Sequence, residues 1–106
     1  MLTQKAAINK VKSFAEELKK AGIRLQKVIL YGSYSQNRQH QWSDIDVALV
    51  ADEFTGNGFE DTKYFARINN KKPYIIIEAK TYPSSYYLES DPFIDEIKRT
   101  GIEIQI

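Results

Sequence analysis

Asp44 and Asp46 stand two residues apart in "SDIDVALVA", where an extended chain alternates its side chains and aims both carboxylates at one face. Their Cα atoms would lie roughly 6.6 Å apart, close enough for both groups to lean onto one cation. Two ionised carboxylates brought to about 4 Å repel by on the order of 4 kcal/mol at an effective dielectric near 20, so a positive charge is expected between them. Hard oxygen donors suit Mg²⁺ or Mn²⁺, and Mg²⁺ is typically held by one or two carboxylates while substrate phosphate completes the octahedron. An EF-hand is excluded, because the triplet runs straight into Val47-Ala48-Leu49-Val50 where a calcium loop needs further oxygen ligands and a turn glycine.

A phosphate cradle should therefore lie close by, and Gly32-Ser33 at the end of the preceding apolar run can form one. Glycine lets backbone approach the ligand, the serine hydroxyl donates, and a helical turn beginning there presents free N–H groups. A third acid would complete a site able to act on both the attacking oxygen and the triphosphate. Glu78 in "YIIIEAK" is the best candidate, since a strand of that composition should pair beside "DIDVALV"; it could also serve as general base for an acceptor hydroxyl.

The pairing of "YGS", ten intervening residues and "DID", with a third acid one strand later, resembles the minimal nucleotidyltransferase family of the DNA polymerase β-like superfamily. The likeness extends over nearly the whole chain, including the leading helix and the tail "DPFIDEIKRTGIEI". It implies an αβαβαβ-type core and Mg²⁺-dependent transfer of a nucleoside monophosphate, AMP from ATP, to an acceptor hydroxyl with release of pyrophosphate. Asp44, Asp46 and Glu78 then match the catalytic, metal-binding acids, and Gly32, Ser33, Arg38 and Ser43 the nucleotide and phosphate contacts. Many members are antitoxins that modify a tyrosine of a HEPN-type toxin, so such a partner is implied here. The sequence departs from the pattern at Asn37, where a glycine is common, and keeps only Arg38 as a basic residue in that loop. Asparagine tolerates the left-handed backbone better than most residues.

Other polar and aromatic residues read more plainly. His40, the sole histidine, sits in a polar loop and reads as solvated. Trp42 is expected to pack beside the site. Lys71, Lys72 and Lys80 read as solvated, although Lys80 shares the face of Glu78 by period two and could reach a phosphate. The tyrosines of "YPSSYYLE" are expected to pack over the sheet.

These residues must be positioned by the elements around them. Ala7, Val11, Phe14 and Leu18 recur at helical spacing, with Thr3 as N-cap and Gly22 as stop. "IRLQKVILYGS" reads as a central strand, the stretch from Tyr34 to Trp42 as a helical turn and loop, and "SDIDVALVA" as a second strand apolar on both faces. A short helix over about 59–68, a strand through "YIIIEAKTY", and a helix starting at Asp91-Pro92 and stopping at Gly101 follow, the last with Phe93, Ile94 and Ile97 inward. "IEIQI" closes as a short strand. The fold class expected is α/β or α+β: one mixed sheet of about four strands covered by helices, as a single nucleotidyltransferase-type domain over 1–106.

Composition narrows the setting. A chain of 106 residues can bury one core but not a separate acceptor domain, which argues against a small acceptor such as an aminoglycoside. What a second domain would supply must come from another chain, a partner or a second copy. Fifteen basic and fourteen acidic residues give a formal charge of +1, so no strong attraction to nucleic acid or to an anionic membrane is expected. Without cysteine there is no disulfide framework or thiolate site, no apolar run approaches the ~20 residues needed to span a bilayer, and the start is not signal-like, so a cytoplasmic protein is expected. The competing reading is a weakly active or inactive module that neutralises a partner by occlusion.

Overall fold

The structure, a computed structural model, describes residues 2–89 and 91–106. Helix α1 (Gln4–Lys20) begins where Thr3 accepts the backbone N–H of Ala6 at 3.0 Å and ends in a left-handed Gly22. Its apolar stripe, Ala7, Val11, Phe14, Ala15 and Leu18, is fully buried. Two strands follow, β1 (Leu25–Tyr31) and β2 (Ile45–Ala51), paired antiparallel. A crossover through α2 (Gly58–Thr62), α3 (Ala66–Asn69) and a 3₁₀ turn at Lys72–Tyr74 leads to β3 (Ile77–Tyr82), parallel to β2. Then come α4 (Ser84–Leu88), α5 (Pro92–Thr100) and β4 (Ile102–Glu103), which pairs antiparallel with β1.

The described residues thus form a small α+β fold: a mixed four-stranded sheet in the order β3-β2-β1-β4, with helices on both faces. As the sequence predicts, β1 is central and the strand bearing Glu78 lies beside the one bearing Asp46. Because β1 and β2 are covered on both sides, their apolar residues divide by parity. Val28, Leu30, Val47 and Leu49 pack under α1. Ile29, Tyr31, Ala48 and Val50 pack with Tyr82, Tyr87, Ile94 and Ile97 of the β3 end, α4 and α5. Among the described residues no helix is long and apolar enough to cross a membrane.

Three expectations shift. The helix expected over 59–68 is two short ones, because Phe65 leaves helical backbone (φ −139°) to bury its ring against Phe14 and Phe54. Strand β3 starts at Ile77 rather than Tyr74; Pro73 favours the 3₁₀ turn, and the side-chain amide of Asn69 holds it by donating to the carbonyls of Tyr74 and Ile77. Finally, Phe93 is not a core residue of α5. Asp91 caps that helix as expected, accepting the N–H of Ile94 at 2.9 Å, but Ile94 and Ile97 take the inward stripe and Phe93 is 44% exposed.

Candidate active site

Parity puts the acids on the face opposite α1. Val47 and Leu49 point under that helix, so Asp46 points the other way, with Ala48 and Val50. In register, Asp46 sits between Tyr31 of β1 and Glu78 of β3. Neighbouring strands lie about 4.8 Å apart, so the two carboxylates stand side by side across the parallel pair. Asp44 comes just before β2 begins at Ile45, exposed, as is Glu78; Asp46 is half-buried. Of the immediate neighbours of Glu78, Ile77 is buried and Ala79 half-buried.

Burial raises the pKa of Asp46, and the negative charges of Glu78 and Asp44 raise it further, while Lys80 pulls it back. The same patch acts on Tyr31, whose phenol is pushed up by burial and then by Asp46, Tyr82 and Glu78. In both, burial is the larger cause and the neighbouring negative charge adds to it.

Gly32 closes the other side. Its φ of +76° suits glycine, and a Cβ there would fall 2.4 Å from Oδ2 of Asp46. Gly32, fourteen positions before Asp46 in the sequence, therefore lies directly against that acid.

The turn itself is a helical turn with a helix-type stop. Arg38 N–H donates to the carbonyl of Ser33 at 2.8 Å and Asn37 N–H to that of Tyr34 at 3.3 Å, the paired bonds of a Schellman motif. Asn37 occupies the left-handed position with φ 55°, as Gly22 does after α1. The expectation that asparagine preserves this turn is met. The loop is further fastened by Ser35, whose hydroxyl donates to the Gly32 carbonyl at 2.9 Å, and by Gln4 of α1, whose amide donates to the carbonyls of Tyr34 and Ser35 at 2.9 and 3.1 Å. Tyr34 anchors it in the α1 core at 2% exposure.

The remaining predicted residues lie around this loop in different states. Ser33 is half-buried, next to Gly32. Arg38 is exposed. Ser43 is buried and its Oγ accepts the N–H of His40 at 2.9 Å, closing the turn that delivers Asp44. His40 is exposed as expected and its Nδ1 accepts the N–H of Trp42. Trp42 does not pack beside the site; it is 81% exposed. Neither Gln4 nor Tyr31 is among the site residues expected from sequence, and Phe93 was expected in the core rather than near the acids. Tyr31 had a signal in its position one residue before Gly32, whereas Gln4 reaches the loop across 30 residues and leaves no local trace.

The donors fit a hard divalent cation in kind, since three carboxylates with mutual repulsion share one patch. Among the described residues, however, no three His, Cys, Asp or Glu side chains close into a group able to hold a metal unaided. What the arrangement offers is an open acidic shelf beside a tight, glycine-led turn.

Comparison with known proteins bears on the family and the fold. The family model described as a nucleotidyltransferase domain matches residues 8–104. Curated protein sequences return no match. Among solved structures, a Sulfolobus solfataricus protein named provisionally as a nucleotidyltransferase superposes with a TM-score of 0.69 at 18% identity, covering 94% of this chain and 80% of that one. A toxin-antitoxin structure with AMP-PNP gives a TM-score of 0.60 at 21% identity, covering 92% and 72% of the two chains. A toxin-antitoxin MntA-HpeT mutant, with two aspartates two positions apart exchanged for glutamate, gives 0.60 at 20% identity and the same coverage. At these identities the superpositions speak for the fold, and the family match, which spans nearly the whole chain, speaks for descent: this chain belongs to the nucleotidyltransferase domain family, whose reaction class is nucleotide transfer.

Proposed function

We propose that residues 1–106 work as one nucleotidyltransferase domain that moves a nucleoside monophosphate, AMP from ATP, onto a hydroxyl of a partner protein. The observation that carries this reading is the close approach of Asp46 to Gly32, where a side chain would meet the carboxylate; it would set a backbone phosphate cradle beside the paired acids. Asp44 and Asp46 would hold a divalent cation, Mg²⁺ or Mn²⁺, with Glu78 beside them; when bound it neutralises triphosphate charge. Gly32 and the Ser33 hydroxyl would orient the triphosphate, with Arg38 and Ser43 at the margin of the same turn. The acceptor oxygen bonds to the α-phosphorus, the bond to the bridging oxygen breaks, pyrophosphate leaves, and Glu78 takes the acceptor proton.

The acceptor reading rests on the fold shared with the toxin-antitoxin chains, one of them with AMP-PNP. An antitoxin of this kind would act on a HEPN-type toxin in the cytoplasm. The occlusion reading draws on the sparse basic complement around the acids, where Lys80 is the cation acting on Asp46. Its other support, Asn37, is weakened because that residue keeps the turn.

The test is to purify the chain with the protein that accompanies it in its native cell, add Mg²⁺ and each nucleoside triphosphate, and weigh the partner intact. A gain of one nucleoside monophosphate is expected, and none from the Asp44→Asn, Asp46→Asn double variant. A partner neutralised equally well by the double variant, with no adduct from wild type, would establish occlusion instead.

A further inference from the structure

Phe93 and Lys80 form a feature at the edge of the acidic shelf that the transfer chemistry above leaves unused. Lys80 lies two residues after Glu78 on β3, so the two side chains leave the sheet on one face. Its Nζ sits 5.0 Å from the centroid of the Phe93 ring. That ring meets Tyr31 edge to face, with centroids 5.9 Å apart and planes at 90°. Tyr31 is the register partner of Asp46 and the residue before Gly32. One exposed aromatic ring is thus carried to the margin of the acids by α5 and covered on its face by a lysine.

We infer that Phe93 is the stacking platform for the nucleobase of a bound nucleoside triphosphate, and that Lys80 covers the ring until a phosphate draws it away. This rests on the nucleotide-transfer reading of the same site. A solvent-exposed ammonium on a benzene ring gains little, less than it gains in a charge-assisted hydrogen bond to phosphate. A triphosphate arriving at Gly32 and Ser33 would therefore take Lys80 off the ring, since Lys80 already lies within electrostatic range of Asp46. The ring face so exposed is apolar, fixed at its edge by Tyr31, and open to any base, because every base has a π-face. Stacking of this kind carries no hydrogen-bond readout, so the platform would accept purine and pyrimidine triphosphates and favour the larger purine surface. The core of α5 makes no demand on this ring, since the inward positions of the helix are filled by Ile94 and Ile97.

The experiment is calorimetric titration of the full chain, in Mg²⁺, with AMP-PNP and separately with inorganic tripolyphosphate. Phe93→Leu keeps apolar bulk against Tyr31 without a π-face; it is expected to weaken AMP-PNP about tenfold and to leave tripolyphosphate unchanged. Phe93→Trp should bind AMP-PNP at least as tightly as wild type. Lys80→Gln should weaken both probes alike, again by about tenfold. Equal AMP-PNP affinity in wild type and Phe93→Leu would overturn the inference while leaving the nucleotide site intact, and so would equal losses for both probes in Phe93→Leu. Failure of wild type to bind either probe would overturn the site reading itself and the inference with it.

Discussion

Removing one charge from the acidic shelf should stabilise the metal-free protein. Asp46 and Glu78 are register partners on parallel strands, about 4.8 Å apart, and two unit charges at that distance repel by about 3 kcal/mol at an effective dielectric of 20. Asp44 and Glu78 are exposed, so solvent screens most of this and ~1 kcal/mol should survive. Asp46→Asn keeps the shape and loses the charge. In EDTA its melting temperature should exceed that of wild type by about 4–8 °C. The sign with pH follows from the raised pKa of Asp46: the penalty in wild type is complete above that value, falls as pH drops through it, and is gone below the ordinary value of 3.8. The advantage of Asp46→Asn should vanish over the same window. Mg²⁺ with nucleotide at a hundredfold excess over Kd should stabilise wild type by about 2.7 kcal/mol and the variant by much less, reversing the order of melting. Thermal denaturation followed by circular dichroism reads all three. An Asp46→Asn protein that melts below wild type in EDTA would refute the reasoning, since the carboxylate would then be serving the fold.

Three other outcomes follow from the same geometry. Gly32→Ala puts a Cβ into the left-handed region and against Oδ2 of Asp46; it should cost about 1–3 kcal/mol in urea unfolding and reduce transfer by more than its stability loss explains. Asn37→Gly should leave both stability and transfer unchanged, whereas Asn37→Ala should cost about 1 kcal/mol, read in the same urea titration. Asp61→Asn should lose about 3 kcal/mol, because the buried Asp61 carboxylate accepts from Thr55 N–H, the Thr55 hydroxyl, Gly56 N–H and the Thr81 hydroxyl. Burial alone would raise its pKa, but these bonds hold it below the usual range, so wild type should lose this contribution only as pH falls through that depressed value.

The parts of this protein that depend on local periodicity are readable from the chain. The stripe of α1, the parity of β1 and β2, and the Thr3 and Asp91 caps each express a rule that spans a few residues. Gly32-Ser33 and Asp44-Asp46 were readable for a different reason, that two weak motifs at a fixed separation constrain each other. What stayed hidden depends on partners distant in sequence. Asp61 lies in the first turn of α2 with no local sign of its role, and only the arrival of Thr81 from β3, 20 residues on, makes it the knot of the crossover. Phe93 was assigned inward because it is apolar, yet on a helix one residue turns the face by about 100°, and Ile94 with Ile97 had already filled the core. Trp42 was expected to pack beside the site, while Ser43 and His40 hold its loop through local bonds that need no aromatic anchor.

Nucleotidyl transfer by the acidic shelf is tested most directly by where the label goes. ATP labelled at the α-phosphate, or in parallel at the γ-phosphate, is added with Mg²⁺ to the chain bound to the partner protein proposed above, and protein-bound label is counted. Label from the α-position retained on the partner, none from the γ-position, and none of either with Asp46→Asn is the expected result. Retention of γ-label, or α-label undiminished in Asp46→Asn, would contradict it.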